Sequence, residues 1–363
     1  MSTVSKHIAF LCSRLDLPGG IERAITNTAN LFFSEGHKVS LLILDETAET
    51  FYRINPEITI IQQSLSFGIT QEGNIVTRKI KFLGDVLQLR KLLKRINADI
   101  VIATEYPFAA AALLSGAKKQ SKIVSWEHHH MYELKRSPFW NKLFNLAYPR
   151  LNAVVCLNED ERKLFTIVNK NPVVIPNFIE PGTASELTNN LILTVARLTH
   201  VKGTDSLLQV AKTVLEKHPG WQWKLIGDGD MKTDVLDFIE NENLQDWLIL
   251  QLPVNENILP EYQQASLYVM TSRNECFPMT LLEAQAAGLP CISFDCETGP
   301  RHIITHNENG LLVEKENPDK LAEAVSLLIN NEEQRKKMGK NALQNVQRFS
   351  PEKIYQLWEP LLK

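Results

Sequence analysis

Short apolar runs rich in Val, Ile and Leu alternate with longer amphipathic stretches along the whole of this chain. Near-continuous runs of this kind are typical of strands in parallel sheets that helices cover on both faces. The predicted strands are Ile8–Ser13, Lys38–Leu44, Ile58–Ile61, Asp99–Ala103, Lys122–Trp126, Ala153–Leu157, Val173–Ile175, Leu191–Ala196, Trp223–Ile226, Leu248–Leu250, Leu267–Met270, Cys291–Phe294 and Leu311–Val313.

Helices are predicted in most of the gaps, notably at Ile21–Ser34 and Ile80–Ile96, so the fold class is α/β. Residues 176–185 interrupt the alternation with two prolines, a glycine and small polar residues, which indicates a linker. We therefore predict an N-terminal Rossmann-like domain at 1–176, a second at 177–350, and a C-terminal helix at 351–363 that crosses back to the first domain. Two such sheets imply an interdomain cleft, with ligands at the carboxyl ends of the strands.

Charge is divided unevenly along the chain. Residues 1–180 carry a net charge of +5 and the remainder −8, which suggests an anionic partner for the first half. The five cysteines are scattered and form no CxxC pair, and no apolar run is long enough to span a membrane. A cytoplasmic protein is expected, and no nucleic-acid partner.

One ten-residue segment, Asn274 to Glu283, carries the most chemistry. Pro278 is suited to the first turn of a helix that Gly288 ends, so Glu275 lies in the preceding loop and Glu283 within the helix. Between them, the backbone amides of Phe277, Pro278, Met279 and Thr280 surround a helix N-terminus, although proline supplies no N–H. Such an end attracts anions, and the flanking carboxylates can accept hydrogen bonds from hydroxyls. The pattern suits a nucleotide sugar.

Two further segments place possible phosphate ligands after strands. Arg197 follows the first strand of the second half, and Lys202 precedes the next helix, an arrangement that suits a diphosphate. Gly19 and Gly20 open the first helix and would allow the backbone to approach a ligand, although a simple turn also explains them.

Two possible metal motifs are explained better in other ways. The glycines that begin at Gly227 make a tight turn, which accounts for the Asp-x-Asp that overlaps it. His128, His129 and His130 are adjacent, so on an extended chain their side chains point to opposite sides. We predict no metal site; His128 is either a polar group near a reacting sugar or an ordinary loop histidine.

Basic and aromatic residues alternate at 134–150, and the helix at 77–96 adds seven Lys or Arg residues. This composition suits a contact with a membrane surface or a lipid phosphate. Taken singly, each segment also fits an ordinary solvated face.

Together these residues resemble the retaining glycosyltransferases of family 4, which have the GT-B fold of two facing Rossmann-like domains. The marks are Glu275-x7-Glu283 within ECFPMTLLEAQAAGLP, Arg197-x4-Lys202, Gly19-Gly20, His128 and the Ile175-Pro176-Asn177 segment. The wording ECFPMTLLEA, with the later TGP, is most similar to bacterial enzymes that extend polysaccharides or lipid-linked oligosaccharides.

The resemblance implies roles for these residues. Arg197 and Lys202 would bind the donor diphosphate near Gly20, Glu283 the ribose, and Glu275 the hydroxyls of the transferred sugar. His128 would approach the reacting centre, and Gly19, Asn177 and Gly227 would complete the donor site. Cys276 departs from the glycine that is common in this family and would narrow the sugar pocket.

The implied reaction is metal-independent transfer of a hexose or N-acetylhexosamine from a nucleotide diphosphate sugar, with UDP favoured, to a saccharide or lipid-linked acceptor. No cofactor is expected, and the enzyme would work on the inner face of the cytoplasmic membrane. Two alternatives are an epimerase or hydrolase of UDP-N-acetylglucosamine with the same architecture, and a non-catalytic nucleotide-sugar-binding assembly protein.

Overall fold

The computed structural model describes residues 4–45, 49–67, 75–133, 136–253 and 257–363. The chain divides into two compact units. Unit 1 comprises Met1–Pro176 together with Ile354–Lys363, and unit 2 comprises Asn177–Lys353.

Unit 1 is built on a seven-stranded parallel sheet with the order β3-β2-β1-β4-β5-β6-β7. The order reverses at β1, where Ile8 pairs with Val39 on one side and with Ile100 on the other. The carboxyl ends of β1 and β4 therefore form a topological switch point, the usual ligand position in open α/β sheets. The strands are β1 (His7–Cys12), β2 (Lys38–Ile43), β3 (Thr59–Gln62), β4 (Ile100–Ala103), β5 (Lys122–Glu127), β6 (Ala153–Cys156) and β7 (Pro172–Val174).

Unit 2 repeats this topology with a six-stranded parallel sheet in the order β10-β9-β8-β11-β12-β13. Its switch point lies between β8 and β11, so the residues after these two strands are placed to bind a ligand. The strands are β8 (Leu191–Val195), β9 (Gln222–Ile226), β10 (Leu248–Gln251), β11 (Leu267–Met270), β12 (Cys291–Phe294) and β13 (Gly310–Val313).

Helices connect successive strands. They are α1 (Gly20–Ser34), α2 (Ile75–Ile96), α3 (Tyr106–Leu114), α4 (Pro138–Ala147), α5 (Glu159–Phe165), α6 (Thr204–Lys217), α7 (Lys232–Asn241), α8 (Leu259–Gln264), α9 (Met279–Ala286), α10 (Pro318–Asn330), α11 (Glu332–Val346) and α12 (Pro351–Leu362). Short 3₁₀ turns occur at Ala117–Lys119, Tyr148–Arg150, His200–Lys202, Pro300–His302 and Gln347–Phe349.

All thirteen predicted strands are present, with ends that differ by at most two residues. The prediction succeeds because these strands are buried on both faces: Ile8 to Cys12, for example, are completely buried. The predicted helix at Ile80–Ile96 begins earlier, at Ile75. Pro278 is the residue before α9 rather than part of its first turn, so its placement was wrong by one position.

The last helix of the chain packs within unit 1. Trp358 of α12 is buried, and its ring lies 5.5 Å from that of Phe32 in α1 and 5.4 Å from that of Trp126 in β5. The Tyr355 hydroxyl lies 2.8 Å from Nε2 of His37. This aromatic cluster covers one face of the sheet, and an apolar cluster formed with α2, α3 and α4 covers the other.

None of the helices in the described part of the chain is both long and apolar enough to cross a bilayer.

Candidate active site

In unit 2, the predicted site residues Glu275 and Lys202 meet as an ion pair. Nζ of Lys202 lies 2.7 Å from Oε1 of Glu275, which also accepts a hydrogen bond from Ser272 Oγ at 2.7 Å. The Glu275 side chain is only 12 % exposed, so its charge depends on these partners. The pair lies beyond the carboxyl edge of the sheet, after β8 and β11.

The loop that carries Lys202 has little conformational freedom. Gly203 adopts a φ of +68°, and a Cβ there would lie 2.0 Å from the carbonyl oxygen of Thr271. Thr271 Oγ1 donates to the Lys202 carbonyl at 3.1 Å. The backbone after β11 therefore sets the position of Lys202.

A second layer holds the same loop. Arg273 forms ion pairs with Asp205 at 2.7 Å and Glu316 at 2.8 Å, and it donates to the His200 carbonyl at 2.7 Å. These acidic partners, Asp205 first, raise the pKa of the Arg273 guanidinium, which is charged at any working pH. The charge thus anchors the loop rather than facing a ligand.

Arg197 differs from Lys202 in being free to turn. Its side chain is exposed two residues after β8, and it forms no ion pair within the described residues. The Gly227 turn packs directly behind it, because a Cβ on Gly227 would lie 2.0 Å from the Ala196 carbonyl oxygen. A mobile guanidinium on a firm backbone suits an incoming phosphate.

Glu283 is buried within α9, where its Oε2 accepts a hydrogen bond from the Tyr262 hydroxyl at 2.7 Å. The sequence gave no sign of Tyr262, which lies 21 residues earlier on α8. Before α9, Phe277 packs edge-on against Phe349, with ring centroids 5.4 Å apart. Glu275 and Glu283 thus lie on opposite sides of the start of α9, one in the loop and one in the helix.

The other residues around α9 complete the surroundings of this helix start. Met279 is buried and Thr280 is half-buried. Thr298 Oγ1 donates to the Glu275 carbonyl at 2.5 Å. Asn177, at the first position of unit 2, is buried with its Oδ1 lacking a protein partner. A buried unpaired carbonyl oxygen is costly, so a ligand donor would satisfy it.

In unit 1, the structure places Gly19 immediately before α1 and His128 immediately after β5. The carboxylate of Glu22 folds back over Gly19: a Cβ on Gly19 would lie 1.9 Å from Oε2 of Glu22. An anion can approach this backbone, including Gly20, only if Glu22 swings away.

His128 is neutral at physiological pH. It is buried against Trp126, with ring centroids 4.4 Å apart, and burial with the neighbouring His129 lowers its pKa to about 3. Its Nε2 has no protein partner. His130, in contrast, binds Glu161 at 2.5 Å, so adjacent histidines have separate partners. No grouping of three metal-ligating side chains occurs among the described residues.

Glu105 is a polar residue at the unit 1 switch point that sequence reasoning missed. It follows β4 and lies within 3.4 Å of Ser13 Oγ, after β1. Burial, with the charges of Glu127 and Glu22, raises the pKa of Glu105 to about 7. Its position directly after a strand was the available signal, but the burial that gives it unusual chemistry depends on distant residues.

Comparison with known proteins agrees with this description. Residues 177–345 match a family model described as Glycosyl transferases group 1, and residues 18–182 match one described as Glycosyltransferase Family 4. An uncharacterized glycosyltransferase of Haemophilus influenzae is 26% identical, over 98% of this chain and 100% of that protein.

Two other proteins are similar over almost their whole length. The GalNAc-alpha-(1->4)-GalNAc-alpha-(1->3)-diNAcBac-PP-undecaprenol alpha-1,4-N-acetyl-D-galactosaminyltransferase of Campylobacter jejuni is 25% identical over 98% of each chain. The crystal structure of S. aureus TarM in complex with Fondaparinux, alpha-GlcNAc-glycerol and UDP covers 99% of this chain and 100% of its own, with a TM-score of 0.81 and 16% identity. The structural likeness concerns the fold.

Proposed function

The chain belongs to glycosyltransferase family 4, with the GT-B fold, and from this premise we propose that it transfers a hexose or N-acetylhexosamine from a UDP-sugar to a saccharide. UDP is favoured because the S. aureus enzyme of similar fold was crystallised with UDP. The acceptor we propose is a lipid-linked or cell-surface polysaccharide intermediate, since the Campylobacter relative is named for an undecaprenol-linked one. Such an acceptor would bring the enzyme to the inner face of the cytoplasmic membrane.

The observation that carries the proposal is the Lys202–Glu275 pair beside the start of α9, with Arg197 free nearby in sequence and fold. We propose that the donor diphosphate takes Lys202 from Glu275 and also attracts Arg197. Glu275, released from its cation, would then accept hydrogen bonds from the hydroxyls of the transferred sugar. Tyr262 would hold Glu283 in position for the ribose.

The proposed reaction retains the anomeric configuration and needs no metal. Two cations and the helix start would stabilise the leaving diphosphate electrostatically, which is the usual role of a metal in such sites. The leaving phosphate oxygen would accept the proton of the attacking acceptor hydroxyl on the same face of the sugar. In unit 1, we assign backbone contacts with the ligand to Gly19 and Gly20, and a hydrogen bond from neutral His128 to the sugar.

The test is a donor panel of UDP-, GDP-, ADP- and dTDP-sugars with EDTA present, read by thermal shift and by donor consumption with a lipid-linked saccharide. We expect stabilisation by one donor, turnover that requires acceptor, and a product with retained configuration by NMR. Inverted configuration, or dependence on added Mg²⁺, would contradict the mechanism. Free sugar or an epimer formed without acceptor would indicate the hydrolase or epimerase, and binding without turnover an assembly protein.

A further inference from the structure

The outer face of α2 carries exposed aliphatic residues where a soluble helix normally carries polar ones. Ile80, Leu83 and Leu87 are 66%, 61% and 59% exposed. Their spacing of three and four residues places them on one side of the helix. Phe82, Leu89 and Leu93 lie on the opposite side and are buried in unit 1. The exposed stripe is therefore additional to the face that stabilises the fold.

Positive charge surrounds this stripe on the same helix. Six exposed basic residues lie before, within and after it. They are Lys79, Lys81, Arg90, Lys91, Lys94 and Arg95. Asp85 is the sole acidic residue of α2, and it is buried, where its Oδ2 accepts a hydrogen bond from the Phe67 amide at 2.8 Å. The outer face thus has no negative charge to balance its cations.

Neighbouring elements extend the same surface. Phe139 of α4 is 39% exposed and packs edge-on against Phe82 of α2, with ring centroids 5.4 Å apart. Lys118 and Lys119 are exposed on the 3₁₀ turn that contacts α2. Of the basic residues predicted for this region, Lys135 lies outside the described residues.

We propose that this outer face of α2, with Phe139 at its side, docks unit 1 onto an anionic lipid surface. Helices that lie in a bilayer interface combine an aliphatic stripe with flanking lysines and arginines, as here. Each cation near such a surface adds attraction that salt weakens. A nucleic acid would also attract the cations, but it offers no apolar layer to cover the three aliphatic side chains.

The inference builds on the proposed membrane location and not on the transfer reaction. Vesicle binding is therefore measured without donor or acceptor. The probes are phosphatidylcholine vesicles with and without phosphatidylglycerol, sedimented with the full chain at low and high salt. We expect binding to the anionic vesicles at low salt, and at least tenfold weaker partitioning to neutral vesicles.

Two variants test the surface, each with a matched control in unit 2. Lys91→Glu with Lys94→Glu should weaken partitioning at least tenfold, and Lys337→Glu with Lys340→Glu, the same spacing on exposed positions of α11, should leave it unchanged. Leu87→Ser should weaken it several-fold, whereas Leu327→Ser, at a 48% exposed position, should not.

Three results would overturn the proposal. They are no binding to anionic vesicles, equal losses in the α11 controls, and α2 variants that turn a dimer into a monomer without affecting vesicles. Donor-induced thermal shift in the same variants keeps the two proposals separate. Loss of vesicle binding with an intact donor shift would leave the α2 surface assigned and the active site untouched.

Discussion

Glu275 and Lys202 neutralise each other before any donor is bound, and this pairing makes an unusual prediction. Glu275→Gln keeps the shape of the side chain but removes the charge, so it should lower the rate of transfer by about 100-fold or more. Affinity for free UDP should be unchanged or higher, because Lys202 no longer has to leave a carboxylate. Isothermal titration with UDP and initial rates separate the two effects.

The control for this variant is Glu308→Gln, which removes a carboxylate from an exposed position of the same unit. It should affect neither quantity. Full transfer activity in Glu275→Gln would show that the sugar is held elsewhere, and a large loss of UDP affinity would show that Glu275 orders the phosphate site.

Glu105 makes the stability of unit 1 depend on pH. Its pKa is raised to about 7, so the folded chain holds this proton more tightly than the unfolded chain between about pH 4.5 and 7. The burial cost of the carboxylate therefore appears as pH rises through that window. Glu105→Gln is neutral throughout, and its stability relative to the native protein should rise by about 2 kcal/mol from pH 4.5 to 8.

Urea unfolding at a series of pH values measures this difference. His128 has its own pH dependence, in the opposite direction: burial lowers its pKa, so its contribution is lost as pH falls below about 6.5. It is present in both proteins and cancels in the comparison. Glu57→Gln, at an exposed position of unit 1, controls for the loss of one negative charge. A difference that does not vary with pH would refute the assignment.

At the scale of elements, the turn into α6 is the most demanding connection of unit 2. Gly203 needs both a left-handed backbone and the absence of a side chain, since a Cβ would overlap the Thr271 carbonyl. Because Lys202 precedes it, any rearrangement there also moves the proposed phosphate ligand. The backbone of one residue thus links the local fold to the site.

Gly203→Ala should therefore destabilise unit 2 by more than the roughly 1–2 kcal/mol that the left-handed conformation costs alone, and it should weaken UDP binding. Gly116→Ala provides the matched control, because Gly116 has a φ of +82° with open space around its Cα. Chemical denaturation and UDP titration measure both effects. Equal destabilisation by the two variants would mean that the close approach to Thr271 relaxes without cost.

Over the whole molecule, the end of the chain supports the beginning. Trp358 is 1% exposed and packs against Phe32 and Trp126, more than 200 residues earlier in the sequence. A buried Trp replaced by Ala typically costs about 3–5 kcal/mol. Trp358→Ala should therefore destabilise unit 1, although the residue lies in the last helix.

Hydrogen exchange measures this effect locally, as faster exchange in β1 and β5. Leu357→Ala is the matched control, since Leu357 is adjacent in sequence but 46% exposed. If both variants left exchange in unit 1 unchanged, the aromatic cluster would not contribute to its stability.

The strands and main helices could be predicted from the sequence because each pattern is local. A strand buried on both faces is a run of apolar residues wherever it lies, and Leu267–Met270 was predicted without error. The residues around Glu275 could also be identified, since a proline, a helix start and two carboxylates lie within ten positions. That segment and its relatives account for the family.

The tertiary structure alone decided which of these groups meet. Lys202 and Glu275 are 73 residues apart, and their contact follows from the adjacent positions of β8 and β11 in the sheet. The raised pKa of Glu105 depends on burial and on Glu22 and Glu127, and the Tyr262 contact on how α8 packs against α9. The sequence determines local conformation and the stock of chemical groups, whereas charge, burial and hydrogen bonding are properties of neighbours that folding brings together.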